Sequence, residues 1–135
     1  MYQEMRTKSK KQIVFVVEDN DAYRVLLGRM LEQRGFLVLM FENGFKALSM
    51  LEYLIPCIIL SDIQMPGMDG FELREEIDSM YPKLRIPFQY ISSTNEQVLI
   101  EKANELSILE LVQKPARAEE LSEVLKTGIK KFAAA

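Results

Sequence analysis

The chain has no histidine and only one cysteine among its 135 residues. Without histidine, imidazole acid–base catalysis and histidine-ligated zinc are both excluded. The chain also cannot carry a phosphohistidine, so any phosphate it handles must come from another molecule. A lone cysteine allows no internal disulfide, and Cys57, inside the apolar run Cys57–Leu60, reads as a buried structural thiol. No apolar stretch reaches the length of a membrane span, and the polar N-terminus is unlike a signal peptide. A cytoplasmic protein with no membrane partner is expected. A large excess of either charge is missing as well: a net −3 provides no basic stripe for nucleic acid, so no direct nucleic-acid partner is expected. The basic run Lys8, Lys10 and Lys11 reads as part of a flexible, solvated leader over residues 1–11, and Ala133–Ala135 as a tail, a linker start or an artificial end.

What the chain does have is a 48% hydrophobic composition, enough for one core without staples, and a regular alternation of two periods. Gln12–Val17 is a near-continuous apolar run, as expected for a strand covered on both faces. Asp21–Arg34 then repeats Ala22, Val25, Leu26 and Met30 at helical spacing and ends at Gly35. Further strands are predicted over Phe36–Phe41, Cys57–Ser61, Phe88–Ile91 and Glu110–Gln113. Between and after them, helices are predicted over Asn43–Leu54, Phe71–Met80 (Leu73, Ile77 and Met80 aligned), Asn95–Leu106 and Ala118–Phe132. Such a βα-repeated chain predicts an α/β fold, a doubly wound (βα)5 parallel sheet in a single domain over residues 12–132. The eight methionines read as core filler.

The chemistry-bearing residues follow the strands. Glu18 and Asp19 close the first, Asp62 the third, Ser92 and Ser93 the fourth, and Lys114 the fifth. In the flavodoxin-like order 2-1-3-4-5, these carboxyl ends are neighbours, and such folds bind their ligands there. Strands are about 4.8 Å apart, so Asp19 and Asp62 would face one another and Lys114 could reach inward on its long stem. Carboxylates so close repel unless a cation intervenes, and an all-oxygen donor set suits Mg²⁺. A carboxylate can also act as a nucleophile toward phosphorus.

The segments Val16-Val17-Glu18-Asp19-Asn20, Ser61-Asp62-Ile63-Gln64-Met65-Pro66-Gly67-Met68-Asp69-Gly70 and Lys114-Pro115 closely resemble the motifs of response-regulator receiver domains, and the likeness runs from about Ile13 to Phe132. It implies a phosphoacceptor domain of two-component signalling, with Asp62 taking a phosphoryl group from a sensor histidine kinase or a histidine phosphotransfer protein. Mg²⁺ would be held by Asp19, Asp62 and the backbone carbonyl of Gln64, with Glu18 helping directly or through water. Lys114, before a cis Pro115, would pair with the phosphoryl group. Ser92 would be the switch hydroxyl, assisted by the backbone N–H of Ser93. The face of the fourth helix, fifth strand and fifth helix would signal to a downstream protein effector and is where a homodimer would form. Such a domain catalyses only its own phosphorylation and dephosphorylation. It is expected as a stand-alone receiver or as a piece of a longer regulator.

Blander readings compete. Glu18-Asp19 could be a helix N-cap pair, Asp62 a turn residue, and Lys114 a solvated lysine. The run Ser92-Ser93-Thr94 leaves the hydroxyl's register open by one position, and Asp69-Gly70 reads as a turn and helix start without chemistry. Two departures from the family pattern stand out: Glu18, where Asp is common, and Leu111, where an aromatic is common. They keep open an interaction module with weakened or lost switching. A haloacid-dehalogenase-like phosphatase would want an acid where Gln64 stands, and a flavin carrier would want a hydroxyl-rich loop where Glu18 and Asp19 stand.

Overall fold

The computed structural model describes residues 10–135. Most of the leader expected over residues 1–11 therefore lies outside the described residues; Lys10 and Lys11 are exposed. Among the described residues, five strands alternate with five helices. The strands are β1 (Ile13–Val17), β2 (Leu37–Phe41), β3 (Ile58–Asp62), β4 (Phe88–Ser92) and β5 (Val112–Gln113). The helices are α1 (Asp21–Gln33), α2 (Gly44–Met50), α3 (Gly70–Met80), α4 (Gln97–Leu106) and α5 (Ala118–Ala134). All strand pairs are parallel, in the order β2-β1-β3-β4-β5, as the alternation predicts.

The period of two along β1 divides the core. Phe15 and Val17 face one cluster with Ala47 of α2, Leu73 and Ile77 of α3 and Ala103 of α4. Val14 and Val16 face the other, with Leu27 and Leu31 of α1 and Leu121 and Leu125 of α5. Each fully buried Leu or Val contributes roughly 1.5–3 kcal/mol. β3 and β4 are buried along their whole length, which is why the start of β3 reads as an apolar run. Helix starts are set by short polar side chains: Asn20 accepts from the Tyr23 N–H (2.9 Å) and Asn43 from the Lys46 N–H (2.9 Å). Asp69 and Glu72 close a capping box on α3, the turn-and-start role expected of Asp69-Gly70. Gly35, just past α1, has φ 94°, the left-handed conformation that glycine adopts without strain.

Several expectations are corrected. α1 buries Leu27, Gly28 and Leu31, whereas Val25 and Leu26 are exposed. Apolar residues surround this helix, so two stripes compete at the same spacing; docking onto Val14 and Val16 selects the 27/31 stripe. Met80 is exposed, because α3 ends there and turns away at Tyr81. Met40 is exposed as well, whereas Met65 and Met68 fill the core. α2 stops at Met50, four residues early, as i→i+3 bonds from Leu51 and Tyr53 tighten its last turn. Cys57 is exposed: its N–H joins the sheet through the Ile13 carbonyl (2.8 Å), but it precedes β3, at the sheet end beyond the covering helices. α5 continues through Ala134, since two further alanines extend a helix readily, so the expected tail is mostly helical.

β5 has only two residues, not the four expected, and a buried side chain compensates. Gln89 donates from Nε2 to the carbonyls of Glu110 (2.8 Å) and Tyr90 (3.1 Å) and accepts from the Leu109 N–H at Oε1 (3.2 Å). Gln89→Leu keeps the volume and removes all three of these bonds. It is expected to lower unfolding stability by about 2 kcal/mol in urea titration; a midpoint equal to wild type would contradict the clamp.

Candidate functional site

Strand register brings the acids together. Val17 pairs with Ser61, so the next residue on each strand, Glu18 and Asp62, stand level. Asp62 pairs with Ile91, which places Ser92 one step beyond it, and Ser92 pairs with Gln113. The Lys114 N–H then donates to the Ser92 carbonyl (2.9 Å). Four carboxyl ends thus meet at one edge of the sheet.

The sharpest feature is the Lys114 ammonium, which bridges Glu18 Oε1 (2.6 Å) and Asp62 Oδ2 (3.0 Å). Its peptide bond to Pro115 is cis. Asp62 Oδ1 accepts from the Ile63 N–H (2.7 Å), so both oxygens of this carboxylate are oriented. Carboxylate oxygens of Glu18, Asp19 and Asp62 all lie within 4.8 Å of one another. Glu18, not Asp19, is the acid level with Asp62; it is buried, while Asp19 is exposed at the rim. The helix N-cap is Asn20, so the capping reading of Glu18-Asp19 falls away. Burial pushes the Glu18 carboxyl above the ordinary carboxylate range, and bonds from Lys114 and the Asn20 N–H (3.1 Å) offset this only in part. Burial pulls the Lys114 ammonium down, but its hydrogen bonds to Glu18 and Asp62 outweigh that and hold its pKa above the usual lysine value.

When ionised, three carboxylates facing one ammonium leave two uncompensated negative charges. The donors are hard oxygens, two of them buried, a set that fits a hard divalent cation.

Ser92 is buried and its Oγ accepts from the Thr94 N–H (3.1 Å), while Ser93 is exposed beside Lys114 in an open cavity that Tyr23 and Pro115 also line. Gln64 is exposed two residues after Asp62, where the β3–α3 loop opens another cavity with Met65, Pro66 and Asp69.

Residues 14–126 match the family model described as the response regulator receiver domain. The chain belongs to that family. The receiver is 40% identical over 77 residues to the DNA-binding transcriptional regulator NtrC of Escherichia coli K12, covering 57% of this chain and 16% of that protein. It is 26% identical over 113 residues to sporulation initiation phosphotransferase F of Bacillus subtilis, covering 84% of this chain and 90% of that protein. A crystal structure of the receiver domain of a Pseudomonas aeruginosa sensor histidine kinase, with a magnesium ion in its active-site cleft, superposes with TM-score 0.78 at 25% identity. That match covers 89% of this chain and 98% of the other. The receiver spans about a sixth of the NtrC regulator. It is a two-component phosphorelay module. No helix among the described residues is long and apolar enough to cross a membrane.

The sequence reading missed three residues that shape the receiver's site. Ser61 Oγ donates to the Asp62 carbonyl (2.8 Å). Arg24 donates to the Glu18 carbonyl (2.9 Å) and pairs with Asp21, tying α1 to the end of β1. Tyr23 lays its ring against Lys114, its centroid 4.7 Å from the ammonium. Gly70 was read only as a helix start, but its backbone packs on the site: an added Cβ would lie 2.2 Å from the Asp62 carbonyl oxygen. The Tyr90 hydroxyl donates to the Gly70 carbonyl (2.8 Å) and holds it there. None of these roles has a periodic signal; the glycine at the loop's end was the one visible hint. Gly70→Ala is expected to cost about 1–3 kcal/mol in urea unfolding and to move the Asp62 and Ile63 amide resonances. Unmoved amides with full stability would show that the close approach is immaterial.

Proposed function

We propose that the chain is a phosphoacceptor receiver in which Asp62 takes a phosphoryl group from a phosphohistidine on a sensor histidine kinase or a histidine phosphotransfer protein. The observation that carries this reading is the ammonium of Lys114 poised between Glu18 and Asp62. Asp19, Asp62 and the backbone carbonyl of Gln64 would hold Mg²⁺, with Glu18 assisting directly or through water. When bound, the cation supplies positive charge that offsets the charge of the transferring phosphoryl group. The Pseudomonas kinase receiver with its magnesium ion supports that assignment.

An ionised Asp62 oxygen forms the new bond to phosphorus as the donor's phosphorus–nitrogen bond breaks. The electron pair leaves with the imidazole nitrogen, which takes up a proton, and the carboxylate has none to lose. Lys114 then pairs with a phosphoryl oxygen, as an ammonium suits phosphate. Ser92 is the switch hydroxyl: it ends β4 one step past Asp62's partner and is buried, whereas the following Ser93 is exposed and offers its N–H. The surface of α4, β5 and α5 reports the change to a downstream protein effector and is the face for homodimerisation. Leu111, which packs against the core beside α4 and donates its N–H to Asn104 (2.7 Å), replaces the family's aromatic in that readout. The protein acts in the cytoplasm and turns over only its own phosphoryl group.

Acetyl phosphate with Mg²⁺ is expected to label wild type and not Asp62→Asn, read by phosphate-affinity electrophoresis or intact mass. Labelling that persists in Asp62→Asn removes the site assignment. Chelation by EDTA is expected to abolish labelling, and Lys114→Ala to slow it about 100-fold, the scale for removing one preorganised charge stabiliser. Undiminished labelling in EDTA would remove the metal.

A further inference from the structure

We propose that Tyr23 is a positioning residue for Lys114, its ring forming the wall that keeps the ammonium between Glu18 and Asp62. The inference rests on the phosphoacceptor reading of Asp62. An ammonium on a four-carbon stem is a compact, mobile charge, and two acids on one side do not stop it swinging outward. The third side of Lys114 is covered by the Tyr23 ring, 4.7 Å from the ammonium. An aromatic face attracts a cation through its quadrupole.

Tyr23 is itself held at its backbone and at its hydroxyl. Asn20 accepts the Tyr23 N–H (2.9 Å), which fixes the residue in the first turn of α1. Across the Lys114–Pro115 peptide, the Ala116 N–H donates to the Tyr23 hydroxyl (3.4 Å). Tyr23 thus touches the loop on both sides of Pro115, and with Leu26, Ser93 and Pro115 it lines the open cavity beside the ammonium. The choice of an aromatic has a chemical consequence. Lysine has three N–H donors, and Glu18 and Asp62 take two of them. A third carboxylate would take the last. A ring attracts the charge without a lone pair, and leaves one N–H free for an oxygen of the arriving phosphoryl group.

The test combines two readouts on folded protein. In a sample labelled at lysine Cε, the Lys114 methylene is expected to resonate upfield of the other lysines through the ring current. That shift should persist in Tyr23→Phe, which keeps the ring and loses only a long hydrogen bond, and vanish in Tyr23→Leu. The maximal labelling rate with acetyl phosphate and Mg²⁺ should fall about five-fold in Tyr23→Leu, with little change in the half-saturating donor concentration, and recover in Tyr23→Phe. Tyr23→Met, which fills the space without a ring, serves if the leucine variant does not fold. An unshifted Lys114 in wild type, or a ring-less variant that labels at the wild-type rate, overturns the proposal. A wild type with the Lys114 shift but no labelling keeps the resting position of the ammonium, refutes its catalytic consequence, and removes the phosphoacceptor reading separately.

Discussion

Three carboxylates crowded at the ends of neighbouring strands are the constraint around which this molecule is organised. At an effective dielectric constant of about 20, two like charges separated by about 5 Å repel by about 3 kcal/mol. Glu18 and Asp62 are also buried, so water does little to relieve them. One ammonium, delivered from β5, satisfies both acids at once. Its attraction to either alone would not offset the burial of the other. That sharing is what makes the site sensitive to anything that competes for Lys114 or for the acids, a cation or a phosphoryl group above all.

The rest of the fold serves that edge. Parallel register of the backbone sets the heights of Glu18, Asp62, Ser92 and Lys114. The cap at Asn20 begins α1 directly after the acidic end of β1, and the cap at Asp69 begins α3 after the β3–α3 loop, so the chain turns away and leaves the carboxylates at the edge. Gly70, fastened by Tyr90, allows α3 to start against the backbone of Asp62 itself. Packing and chemistry share residues here: Tyr90 belongs to the larger core cluster and also holds the loop that frames the phosphoacceptor candidate.

Much of this was legible beforehand, for reasons that differ by element. β1 and the first half of β3 announced themselves because strands buried on both faces are built mostly of apolar residues. α3 and α5 were legible through their single dominant stripes. α1 was not, because apolar residues on two faces left the choice to the sheet beneath it. Cys57 misled because it continues an apolar run yet lies one residue before the covered strand. The brevity of β5 was hidden because a buried glutamine on β4, not a longer ladder, secures the segment before it.

By itself the sequence determined the period, the order of elements and the residue types at each strand's end, since these follow from local geometry and from which side chains can lie inside a sheet. It also determined which oxygens and which ammonium were on offer. Only the tertiary structure decided that Glu18 rather than Asp19 stands opposite Asp62, that Tyr23 rather than solvent covers Lys114, and that Gly70 abuts the Asp62 carbonyl. Those are contacts between residues 8 to 91 positions apart in the chain, where a fraction of a strand spacing decides the partner. No local preference encodes distances of that kind.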